Sequence, residues 1–66
     1  MSLKWVDVLD IAIELVEKHP DVDPLKISFP DLYQKVMDLD EFDDDPDRCG
    51  EKILEAIQMS WIEEQD

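Results

Sequence analysis

Seven of the ten residues in Asp38-Leu39-Asp40-Glu41-Phe42-Asp43-Asp44-Asp45-Pro46-Asp47 are carboxylates, and none is basic. Side chains of this type coordinate hard cations through oxygen, or they complement a basic protein surface. Crowded together they repel one another, which costs stability unless something outside the chain offsets the charge. The plain alternative is an Asp-rich loop that is simply solvated. Spacing tests the calcium option. Starting at Asp38, the ligand positions of an EF-hand loop fall on Asp38, Asp40, Phe42, Asp44, Pro46 and Cys49, the closing Glu is missing, and Asp43 stands where the turn needs glycine. Frames that start at Asp40 or Asp43 do no better. What remains is a set of hard donors (Asp38, Asp40, Glu41, Asp43, Asp44, Asp45 and Asp47) that would take Fe²⁺, Fe³⁺, Mn²⁺ or Ca²⁺ weakly and with little selectivity.

Little else in the chain is reactive. Cys49 is the only cysteine, so no disulfide and no four-thiolate zinc or iron–sulfur site can form within one chain. A helix N-terminus could activate its thiol, but Asp45, Asp47 and Glu51 oppose a thiolate, and an ordinary or partly buried thiol is expected. His19 is the only histidine and reads as a helix-end cation rather than a ligand. No Ser/His/Asp arrangement, glycine-rich loop or metal-ligand helix motif is present, so the chain is not expected to be an enzyme.

These residues need a scaffold. A first helix is predicted over about residues 6–18, with Asp7 as candidate N-cap and Asp10 near the positive end of the dipole. Its apolar face is broad: Val8, Ile11, Ala12 and Leu15, flanked by Leu9, Ile13 and Val16. Asp7, Asp10, Glu14 and Glu17 form one polar stripe, either a solvated face or an extension of the acidic surface. The turn His19-Pro20-Asp21-Val22-Asp23-Pro24 ends that helix. Ile27-Ser28-Phe29 is expected to be extended and to pair with the segment around Leu3 to Trp5 as a minimal two-strand element. A second helix is predicted from Asp31 to about Leu39, with Pro30 at its start, so the acidic run follows a helix C-terminus, where carboxylates are unfavourable. Phe42 should pin that run to the core. A third helix begins near Pro46, with Asp45 as N-cap, or near Gly50, and runs to about Glu63. Ile53, Leu54, Ile57 and Trp61 give its core stripe, with Ala56 beside it. Trp5, Tyr33, Phe42 and Trp61 are expected as core aromatics.

Sixty-six residues make one small domain, here 1–66, with a modest core. An apolar content of 44% argues for a folded chain even though the net charge is -13. That charge argues strongly against nucleic acid, whose affinity comes mostly from Lys and Arg, and it disfavours anionic membrane surfaces. No apolar run approaches the roughly 18–20 residues of a membrane span, and no targeting segment is evident. A cytoplasmic monomer is therefore expected.

Leu3-Lys4-Trp5, Pro20-Asp21-Val22-Asp23-Pro24, the acidic run from Asp38 to Pro46, and Glu51-Lys52-Ile53-Leu54-Glu55-Ala56-Ile57 together resemble the IscX (YfhJ) family of small acidic iron–sulfur cluster assembly proteins. The resemblance spans nearly the whole chain. It implies a mainly α, compact three-helix domain of modified winged-helix type. It also implies binding to the basic surface of the cysteine desulfurase, competition there with frataxin, and weak binding of iron on the same carboxylates. The partner-binding residues would be Asp40, Glu41, Asp43, Asp44, Asp45 and Asp47, aided by Asp21, Asp23, Glu14 and Glu17. The chain departs from the family in having Pro30 where a capping hydroxyl is expected, and in the pair Cys49-Gly50 at the start of the third helix. Two other functions compete: a carboxylate-rich iron or calcium binder without a protein partner, and a winged-helix DNA-binding protein, which the charge opposes.

Overall fold

The computed structural model describes residues 2–65. Three helices account for most of them: α1 (Val8–Lys18), α2 (Phe29–Met37) and α3 (Glu51–Gln65), with a single 3₁₀ turn at Pro46–Arg48 ahead of α3. Helices α1 and α3 form the main packing pair, and α2 closes over them. Their facing stripes are the apolar spacings of the sequence: Ile11, Ala12 and Leu15 from α1, Leu32 and Val36 from α2, and Leu54, Ile57 and Trp61 from α3 are all buried. Trp61 is fully buried by packing alone, since its indole N–H has no hydrogen-bond partner among the described residues.

The face of α1 is narrower than its composition suggests. Leu9 and Ile13 are exposed, as is Ala56 on α3, and Ile53 is only half-buried. The helix cannot bury a wider face because α3 covers one side of it and no second layer lies beyond.

The helix ends are set by local chemistry. Asp7 holds the N-cap position of α1 but makes no cap bond. Its carboxylate instead accepts from the Lys4 backbone N–H at 3.0 Å. Helix α2 starts two residues earlier than its proline suggests, because Ser28 is the N-cap and its Oγ accepts from Asp31 N–H at 3.4 Å, which puts Phe29 and Pro30 in the first turn. The capping hydroxyl is thus present, two positions before Pro30. Between the two predicted starts of α3, the structure places both: Asp45 caps the 3₁₀ turn, the chain breaks at Cys49 and Gly50, and α3 begins at Glu51.

The strand pairing is a correction. Ser28 is extended but pairs with nothing, and Phe29 is already helical. Leu3 instead makes an isolated parallel bridge with Phe42. Its N–H donates to Glu41 O at 2.6 Å and its carbonyl accepts from Asp43 N–H at 2.9 Å. Among the described residues there is no sheet. The N-terminal arm is therefore bound to the acidic run rather than to residues 27–29.

Candidate functional site: an acidic surface latched by Trp5

The acidic run is a shaped loop. Leu39 and Phe42 face the core, and Phe42 pins the loop as expected. Trp5 lies over it, nearly fully buried, stacked on Tyr33 at 5.8 Å between ring centroids and edge-on to Phe42 at 4.5 Å. The Trp5 indole N–H donates to Asp45 O at 2.8 Å, and the Trp5 backbone N–H donates to the Asp44 carboxylate at 3.0 Å. Lys4 Nζ donates to Asp43 O, and Tyr33 OH donates to Pro46 O at 3.3 Å.

These bonds sort the carboxylates into two groups. Asp44 and Asp45 are engaged by backbone N–H groups of the protein: Asp44 by Trp5 and Asp45, and Asp45 by Asp47 at 2.9 Å. The bond from the Trp5 N–H, followed by that from the Asp45 N–H and the smaller influence of Lys4 and Arg48, holds the Asp44 carboxyl below its ordinary value. Asp40, Glu41, Asp43 and Asp47 are exposed and free of such bonds, and Asp38 is exposed at the C-cap of α2, where it accepts from Gln34 Nε2 at 3.1 Å. Among the described residues the ion pairing of the run is limited to Lys18 Nζ, 3.7 Å from the Asp40 carboxylate and well exposed, a contact that offsets little charge.

The loop does not stand alone. A cleft of 390 Å³ joins it to α1, lined by Glu41 on one side and Asp7, Asp10 and Glu14 on the other, with Leu3 and Ile13 as its apolar part. Glu14 is thereby brought to the acidic run. Asp7 and Asp10 enter the site too; their spacing with Glu14 marked them, but only the fold shows the stripe facing Glu41. Glu17 is exposed farther along α1. Asp21 and Asp23 lie elsewhere: Asp23 accepts from Leu25 N–H at 3.0 Å and lines a mixed-charge cleft with Lys26, Asp31 and Lys35. No three His, Cys, Asp or Glu side chains are grouped as a metal site among the described residues. The exposed carboxylates point to a diffuse field more than to a coordination sphere.

Cys49 is half-buried against a shallow apolar depression lined by Phe29, Tyr33 and Leu54. Burial pushes its thiol up from the ordinary value, which suits a packing residue more than a nucleophile. His19 is the C-cap of α1, its N–H donating to Leu15 O.

Fold and surface together define a small helical domain that presents a pre-shaped acidic face. A family model described as iron-sulphur cluster assembly matches residues 3–66, and the chain belongs to that family, the IscX (YfhJ) family. An uncharacterized protein of Pseudomonas aeruginosa is 62% identical over 66 residues, covering the whole of both chains. No helix among the described residues is long and apolar enough to cross a membrane.

Proposed function

We propose that this protein is an acidic adaptor of iron–sulfur cluster assembly that docks on the basic surface of the cysteine desulfurase, where it competes with frataxin and adjusts the rate of cluster formation. The family places the chain in the assembly process. The observation that supports the adaptor reading is the outward set Asp38, Asp40, Glu41, Asp43 and Asp47, held in shape by bonds that use other groups of the loop. A face ordered before binding loses little conformational entropy on docking, so its charge goes into rate and affinity. Glu14, with Asp7 and Asp10 across the cleft, extends that face. Asp21, Asp23 and Glu17 are outer contributions. Iron occupies the same carboxylates weakly in this reading, so cation and partner influence each other's affinity. The three helices and the arm fit a modified winged-helix domain whose wing is reduced to the Leu3–Phe42 bridge.

The test uses the outward carboxylates. Asp40→Asn, Glu41→Gln and Asp43→Asn are combined, Asp44 and Asp45 are left in place, and binding to purified desulfurase is measured across a salt series. The triple variant is expected to bind more weakly at low salt and with a flatter salt dependence. Unchanged affinity and slope would sink the adaptor reading.

A further inference from the structure

Helix α1 carries an apolar stripe that the fold leaves uncovered. Leu9 and Ile13, one turn apart on the same side, are 56% and 38% exposed, and Val6 in the turn that leads into the helix is 82% exposed. Single exposed apolar residues are ordinary, but a row of them is not. This row borders the acidic stripe, and Ile13 itself lines the cleft with Leu3, Asp7, Asp10, Glu14 and Glu41. An apolar centre beside a one-signed charged margin is the layout of a protein–protein contact.

We propose that the Leu9–Ile13 face of α1 is the apolar centre of the docking surface, and that its occupant is a partner segment whose apolar side chains are flanked by Lys or Arg. The charges decide the occupant. A second copy of this chain would bring another acidic margin against the first, with a net charge of -13 on each. A partner with basic flanks satisfies both parts at once. The inference deepens the proposed function and rests on it for the natural partner, but the surface itself can be tested without that partner.

Two helical probe peptides of equal charge serve, one with leucines on one face and lysines elsewhere, the other with serines replacing the leucines. In an amide-resolved NMR titration at about 0.5 M salt, where charge is screened, the Leu/Lys peptide is expected to bind about tenfold more tightly than the Ser/Lys peptide. The shifted amides should centre on residues 6–17, and Leu9→Ser with Ile13→Ser should remove the difference. Should the double variant lose its fold, Leu9→Ser alone takes its place, since that side chain is mostly in solvent. Equal binding of the two peptides, shifts centred elsewhere, or self-association through α1 would overturn the proposal. With the desulfurase, the same substitutions should weaken binding at every salt concentration without altering the slope, unlike the loop triple. Failure of the parent to bind the desulfurase would count against the proposed function only, leaving the peptides to decide this surface.

Discussion

Two turns in this molecule are built from aspartate and proline, Pro20-Asp21-Val22-Asp23-Pro24 with two aspartates and Asp43-Asp44-Asp45-Pro46-Asp47 with four, yet they are held differently. In both, an aspartate caps the turn after it: Asp23 accepts from Leu25 N–H, and Asp45 from Asp47 N–H. In both, carbonyls accept side-chain N–H groups from distant elements. The first turn is tied by glutamines of α3, Gln58 to Pro24 O at 2.7 Å and Gln65 to Val22 O at 3.0 Å. The second is tied by a buried indole, by a carboxylate that reaches the Trp5 backbone, and by the Leu3 bridge. Flexible glutamine amides, one half-buried and one exposed, hold the first beside the buried Pro24, and a rigid aromatic cluster holds the second. The turn with the larger self-repulsion has the stiffer support, which is consistent with a surface whose shape matters.

The comparison can be broken at its strongest point. Trp5→Ala removes the stack on Tyr33, the edge contact with Phe42 and the bond to Asp45, and should cost about 3–5 kcal/mol in urea unfolding, most of the stability of so small a domain. Trp5→Phe keeps the packing in part and loses the bond, at about 1 kcal/mol; a Trp5→Phe variant as unstable as Trp5→Ala would show that the indole N–H, not the packing, is what matters. On the other turn, Gln58→Ala should cost only about 0.5–1.5 kcal/mol and leave the amide shifts of residues 40–47 unchanged. A larger loss would make the two supports equivalent.

Asp44→Asn probes the carboxylate latch. Because the folded-state value of Asp44 lies below the ordinary 3.8, its contribution is present at neutral pH and is lost as pH falls through that lowered value. Parent and variant should therefore differ at pH 7 and converge in strong acid, with the Trp5 amide exchanging faster in the variant at neutral pH. A gap that persists unchanged in acid would assign the effect to something other than the charge. The effect is small, because the carboxyl faces solvent. Smallest of all is Gly50→Ser ahead of α3: a side chain added there meets nothing within 4 Å, and a capping hydroxyl should stabilise by a few tenths of a kcal/mol, about the difference between Gly and Ser at a helix N-cap.

Much of this was legible in the chain itself. The apolar spacings placed all three helices, Phe42 announced itself as the only large ring in an acidic run, and Asp45 before Pro46 marked a cap. The differences have separate physical reasons. Pro30 suggests a later helix start than the one the Ser28 cap sets, because proline is favoured anywhere in the first turn. Leu9 and Ile13 flank the apolar face in the sequence yet lie exposed, because periodicity shows which side of a helix is apolar, not how much of that side a neighbour covers. Leu3 bridges to Phe42 rather than to residues 27–29, a choice the sequence does not show because short extended pieces carry no pairing code.

Sequence alone determined the charge, the three helices, the family and the absence of a cysteine-built cluster site, since these depend on residue types and on spacing within a few positions. Only the tertiary structure decided that the Asp44 carboxylate reaches the Trp5 backbone N–H while the carboxylates of Asp40, Glu41, Asp43 and Asp47 stay exposed without a backbone N–H. It alone decided that Trp5 latches the loop across about 40 residues, and that the α1 stripe meets Glu41 across one cleft. Those contacts join segments far apart in the chain, and local propensity does not encode which distant surfaces will meet.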